Sequence, residues 1–141
     1  FGYTPVVFHS FQNVGNQRLP IYHTNVMMCV AEQFVVICLD CIDDELEREK
    51  VQEVIKSTDK EVIEISEEQM HQFAGNMLQV QNEEGTQFLV MSQTAYKSLT
   101  KEQIEKIESY CEIIYADLNT IELNGGGSAR CMLAEVFLPK I

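Results

Sequence analysis

The chain has 141 residues, 45% hydrophobic and 23% charged, a composition that suits one globular domain or part of a larger one. Ten basic residues against 22 acidic ones leave a formal charge of −12, which argues against nucleic acid as a partner because a phosphate backbone repels such a surface. No apolar run approaches the ~20 residues that span a bilayer and no signal peptide is read, so no membrane partner is expected and the expected location is cytoplasmic.

The opening "FGYTPVVF" reads as strand-like and starts on Phe1 instead of Met. The expectation is therefore the back part of a longer chain. "NVMMCV" (25–30) and "FVVICLD" (34–40) are apolar runs separated by a polar "AEQ", a hairpin signal. A helix follows over "DDELEREKVQEVIKST", with Asp43 as its expected N-cap and Leu46, Val54 and Ile55 as candidates for the buried side. "EVIEIS" (61–66) alternates β-branched residues as a strand does. Ser66 and Gln69 then form a capping box for a short helix, "EEQMHQF".

The order then restarts. "NMLQVQ" (76–81), a turn at "NEEG" and "TQFLVMS" (86–92) make a second hairpin. Thr100 and Gln103 form a second capping box, and Ile104, Ile107 and Cys111 fall on one helical face. "EIIYADL" is the next strand. After a short "NTIEL" come three glycines and an expected last strand, "CMLAEVFL". Each unit is hairpin, helix, strand, with starts at Asn25, at Asn76 51 residues later, and at Cys131 another 55 residues on. Repeats at this period stack along a solenoid or around an axis. An axis would gather His23, Asn25, Asn76 and Cys131 at the centre.

Five cysteines (Cys29, Cys38, Cys41, Cys111, Cys131) are an odd number, and a secreted disulfide scaffold would be shorter and denser in them. The chain reads as reduced, with mostly buried thiols. Cys38 and Cys41 form a C-x-x-C, "CLDC". It has no second pair at zinc spacing, and no helix starts right after Cys38 as a redox dithiol would want. Cys131 is different, since "GGGSARCM" puts three glycines ahead of it, and glycine lets backbone N–H groups and a ligand approach closely. It is either a buried strand cysteine behind a flexible loop or a nucleophile. Arg130 beside it would point to the opposite face of a strand. Among three possible bases, His9 and His71 read as structural or surface residues, and the repeat singles out His23. The glycine run has neither the spacing of a phosphate loop nor G-x-S-x-G, so Ser128 is a weak candidate nucleophile.

"IYHTNVMM", "FAGNMLQV" and "GGGSARCM", in that order, resemble the guanidine-modifying (pentein) superfamily. The similarity is greatest to arginine-deiminase-related, amidinotransferase-like proteins that include citrulline-utilisation hydrolases. It covers residues 1–141 as the C-terminal part of a single catalytic domain. The resemblance implies an α/β fold of repeated ββαβ modules in a five-bladed propeller, with about half the ring in this chain and the N-terminal half of the same protein as its partner. It implies Cys131 as nucleophile, His23 as general acid/base, and Asn25, Gly126 and Gly127 at the substrate, with no metal and no cofactor. Family members often carry Asp where this chain has Asn25, and a neutral amide suits a ureido group better than a guanidinium cation. The implied activity is cysteine-dependent hydrolysis of a non-peptide C–N bond in citrulline or a substituted arginine. Arginine deiminase, dimethylarginine hydrolase and amidinotransferase are alternatives of the same fold, and a non-catalytic binding scaffold is a further one.

Overall fold

The structure is a computed structural model that describes residues 2 and 4–134. Three small sheets follow one another along the chain. The first is a two-stranded hairpin of β1 (Phe11–Val14) and β2 (Gln17–Pro20), turned at Gly15 with φ +60°. The second joins β3 (Met28–Val30), β4 (Phe34–Ile37) and β5 (Glu61–Glu64). In it β3 runs antiparallel to β4, and β5 returns parallel to β4 after helix α1 (Glu45–Ser57).

A short helix α2 (Glu67–His71) leads to the third sheet, of β6 (Leu78–Gln81), β7 (Gln87–Ser92) and β8 (Glu112–Ala116). Its pairing repeats the second: β6 antiparallel to β7, and β8 parallel to β7. The crossover here is α3 (Gln93–Ser98) followed by α4 (Lys101–Glu108). The chain therefore contains two ββαβ modules, as the repeat predicts. Helix α5 (Asn119–Gly125) and a 3₁₀ turn, Ala129–Met132, end the described part. Among the described residues no helix is long and apolar enough to cross a membrane.

The middle strand of each sheet explains the core. All four residues of β4 are buried, because it has neighbours on both edges and layers on both faces. Phe34, Ile37, Leu89, Met91 and Ile107 are fully buried, and one apolar cluster runs through both modules. The modules adjoin through β3 and β6. The two expected capping boxes are both formed, each such cap stabilising its helix by about 1 kcal/mol. They also tie the modules together: Gln69 Nε2 donates to Gln103 Oε1 at 2.7 Å, and Gln103 Nε2 donates to the Glu64 carbonyl at 2.6 Å.

Several element expectations are corrected. Residues 4–10 carry no strand. Residues 24–26 form a 3₁₀ turn, so the first strand of the module begins only at Met28. Asp44, not Asp43, caps α1, because Asp43 is held by Arg18 at 2.6 Å. Leu46 is 76% exposed and Val54 half-buried, while Val51 and Ile55 make the buried face. At about 100° per residue, Leu46 lies about 140° away from Val51 around the helix. Cys131 and Met132 belong to a 3₁₀ turn instead of opening a strand, and the rest of that expected strand from Glu135 onward lies outside the described residues. Cys38 and Cys41 are fully buried free thiols, 3.2 Å apart, with Cys41 Sγ 3.3 Å from Met70 Sδ.

Candidate active site

A cavity of about 570 Å³ opens where the two modules and the β1–β2 hairpin meet. All five residues singled out in the sequence line it: Cys131, His23, Asn25, Gly126 and Gly127. They come from two segments, 23–25 and 126–131, and a third segment joins them through one side chain.

That side chain is Asn76, which is 4% exposed. Its Nδ2 donates to the Asn25 carbonyl at 3.1 Å and lies 3.2 Å from Cys131 Sγ. Its Oδ1 accepts from the Arg130 N–H at 3.1 Å. One amide thus fixes both chemical segments. It is brought there by Gly75, where a Cβ would lie 2.4 Å from the Val26 carbonyl oxygen, closer than any real contact. Only a residue without a side chain lets the second module touch the 24–26 turn.

His23 precedes that turn, exposed, with its Nδ1 accepting from the Asn25 N–H at 3.0 Å. That bond occupies Nδ1. The ring nitrogen that remains for chemistry is therefore Nε2. Asn25 reaches the cavity from this 3₁₀ turn, where the sequence reading had it open a strand.

The glycines ahead of Cys131 have separate duties. Gly126 ends α5 with φ +67°, the left-handed region that glycine enters without strain. At Gly127 a Cβ would lie 2.8 Å from Cys131 Sγ and 3.0 Å from Cys131 Cβ. Ser128 is buried and its Oγ donates to Glu122 Oε1 at 2.7 Å, which anchors the loop to α5. The Cys131 N–H then closes back on the Ser128 carbonyl at 3.1 Å, and the thiol is exposed. Gly127→Ala is expected to lower kcat/KM at least about tenfold while leaving the melting temperature nearly unchanged, since an ångström of misplacement of a reacting group can cost about 10²-fold. Paired kinetics and thermal melts check this, and wild-type kinetics in the variant would remove the steric role.

Arg130, His71 and Gln12 are among the lining residues not read as site residues in the sequence. Arg130 was expected on the opposite face of a strand, but a 3₁₀ turn carries it into the same cavity as Cys131. His71 ends α2 beside Glu67. Gln12 arrives on the hairpin, which Arg18 pins down by bonds to Asp43, to Glu67 Oε2 at 2.7 Å and to the Asp40 carbonyl at 2.9 Å. The bond from Asp43, opposed by burial and helped by Glu67, holds the Arg18 guanidinium above its ordinary pKa. Burial pushes the Glu67 carboxyl up, but bonds from the Asn13 N–H and Arg18 outweigh it and keep it below the usual carboxylate range. His9 lies elsewhere, paired with Glu47 at 3.0 Å.

A solved structure is similar in fold: apo ArgZ, an arginine dihydrolase from the ornithine–ammonia cycle in cyanobacteria, with a TM-score of 0.61 and 18% identity. The match covers 85% of this chain and 18% of that one, so the chain spans well under two thirds of that protein's length. Among curated proteins, none matches in sequence. The fold and the sequence together define a member of the arginine-modifying pentein superfamily. Residues 1–138 match the family of eukaryotic N,N-dimethylarginine dimethylhydrolases, and the chain belongs to that family.

Proposed function

We propose that this chain carries the nucleophile and the acid/base of a cysteine-dependent hydrolase that acts on the guanidino or ureido group of an arginine-related compound. In this reading residues 1–141 are the C-terminal part of one catalytic domain. The N-terminal half of the protein completes a five-bladed ring and brings the remaining substrate ligands. The observation that carries the reading is convergence: Cys131 and His23, 108 residues apart in sequence, line one cavity beside Asn76. Membership of the dimethylarginine dimethylhydrolase family favours an N-substituted arginine as substrate.

The chemistry needs one thiol, one proton carrier and one water. The Cys131 sulfur attacks the central carbon of the guanidino group and forms a C–S bond as the thiol proton passes to His23. His23 delivers that proton to the departing amine as its C–N bond breaks. The carbon is then held on sulfur. Water, losing a proton to His23, adds to that carbon and the C–S bond breaks. One water is consumed, an amine and a ureide are released, and the thiol and imidazole return to their starting states.

A second reading rests on Asn25. Its neutral amide lines the cavity, and an amide can both donate to a ureido oxygen and accept from an N–H, whereas a carboxylate only accepts. This favours citrulline or another neutral substrate. Amine and ammonia release from arginine, methylarginines and citrulline by the intact protein separates the readings. Asn25→Asp is expected to shift kcat/KM toward the cationic substrates tenfold or more, because a charge-assisted hydrogen bond contributes about 1.5–3 kcal/mol. If the wild type already prefers arginine and the variant leaves the ratio unchanged, Asn25 is not the selector and an arginine deiminase becomes the first reading.

A further inference from the structure

The sequence reading sets "CLDC" aside because no helix is expected right after Cys38. The structure corrects this. A 3₁₀ turn, Leu39–Cys41, starts there with Cys38 as its N-cap, and the Cys41 N–H closes on the Cys38 carbonyl at 3.4 Å. Residues three apart eclipse one another in such a turn, so the two side chains meet. The Cys41 thiol donates to Cys38 Sγ at 3.2 Å. Arg18 holds the turn from outside, Nη2 donating to the Asp40 carbonyl at 2.9 Å. The bond from Cys41 lowers the Cys38 thiol pKa against the opposing effect of burial, and the same bond, with burial, raises that of Cys41. The pair is therefore unequal, with one sulfur closer to a thiolate and the other supplying its hydrogen bond. A third sulfur completes the cluster. Met70 Sδ lies 3.3 Å from Cys41 Sγ, and Met70 also lines the cavity that holds Cys131 and His23.

We propose that Cys38 and Cys41 are a redox-active dithiol, which hydrogen peroxide closes to a disulfide, and that closing it disturbs the cavity wall through Met70. Nothing in this step needs Cys131 to be a nucleophile. Peroxide, small and uncharged, reaches the pair from the cavity past the flexible Met70 thioether. The Cys38 sulfur attacks one peroxide oxygen and the O–O bond breaks. Cys38 becomes a sulfenic acid, and the other oxygen leaves as water with the thiol proton. The Cys41 sulfur then attacks the Cys38 sulfur. The S–S bond forms, the S–O bond breaks, and hydroxide leaves as water with the Cys41 proton. Two thiols give up two electrons and one peroxide becomes two waters. A disulfide bond is about an ångström shorter than the present contact, so Cys41 Sγ is drawn off Met70 Sδ. What Met70 holds is itself strained. The Phe73 N–H donates to the Met70 carbonyl at 2.9 Å, and Phe73 has φ +65°, a region that costs an aromatic residue energy and persists only under constraint. Both His71 and Phe73 line the cavity, so a shift at Met70 reaches its wall.

The test uses the intact protein carrying Cys131→Ser, which removes the exposed thiol that peroxide meets first. After peroxide, peptide mass mapping is expected to find Cys38 joined to Cys41, lighter by two hydrogens, with both thiols restored by dithiothreitol. Two unchanged thiols, at a peroxide concentration that oxidises Cys131 in the wild type, would overturn the proposal. So would a sulfinic acid at either residue without a disulfide. The amides of residues 67–74 are expected to exchange hydrogen at least about threefold faster in the oxidised protein, because that segment has lost a packing contact. Peroxide is expected to leave that exchange unchanged when Cys38→Ser or Cys41→Ala is added. A formed disulfide with unaltered exchange at 67–74 overturns the link to the cavity. Calorimetric binding of dimethylarginine and citrulline is expected to weaken about three- to tenfold on oxidation, and equal affinity before and after also overturns the link. If neither compound binds the reduced protein while the disulfide forms and the exchange changes, the hydrolase reading fails and the dithiol stands. Binding without a disulfide does the reverse.

Discussion

Cys131→Ser is expected to reduce amine and ammonia release by the intact protein to below about a hundredth of wild type, because loss of a covalent route removes the whole two-step path and not one contact within it. The substitution is nearly isosteric, but a serine hydroxyl is a far weaker nucleophile than a thiol. The fold is expected to be untouched. The Cys131 side chain is exposed, outside the apolar core, and its backbone bond to the Ser128 carbonyl survives the change. A thermal melt within a degree or two of wild type, together with lost turnover, is the expected pair of results. Activity above a hundredth would return Cys131 to the status of a loop cysteine.

The sequence made the repeated module legible because three signals agreed at each step. Apolar runs separated by polar turns marked both hairpins, capping boxes at Ser66 and Thr100 marked two helix starts, and β-branched alternation marked β5. These are local features, and each is written in residues close along the chain. An axis, one of the two arrangements the period allowed, would gather Asn25, Asn76 and Cys131, and Asn76 does hydrogen-bond to both of the others.

What the sequence hid depends on contacts distant in the chain. The β1–β2 hairpin has little apolar alternation and is held by the ion pairs of Arg18 with Asp43 and Glu67, so no periodicity announces it. Its readable signal was Gly15 between two short polar runs. Residues 25–26 and 131–132, which lie in the turns at 24–26 and 129–132, were read as opening strands because apolar runs follow them. In the structure a histidine ring caps the first, and Asn76 holds the second. The misreading at 129–132 is what hid Arg130, since strand alternation turned it away from the site. Helix α3 follows directly from β7, with Ser92 as its cap, and is too short to show a helical period.

Asn76→Ala is expected to cost about 1–3 kcal/mol of stability and at least about a hundredfold in kcat/KM, two effects that arise from different halves of one amide. The stability loss comes from the groups left behind. The Asn25 carbonyl loses its donor, and the Arg130 N–H keeps only a long 3.5 Å approach to the Asn76 carbonyl. The activity loss comes from geometry, because the same amide ties the His23–Asn25 turn to the Cys131 turn and presents Nδ2 to the sulfur. Asn76→Asp separates the two effects. A carboxylate still accepts from the Arg130 N–H, so part of the stability is expected to return. It cannot donate to the Asn25 carbonyl, and it faces the sulfur with a negative charge that repels a thiolate. Activity is therefore expected to stay as low as in Asn76→Ala or to fall further. Chemical denaturation and steady-state kinetics on both variants read the two quantities independently. Recovery of activity in Asn76→Asp would show that the oxygen side of the amide organises the site, and that the contact between Nδ2 and Cys131 contributes nothing to the chemistry.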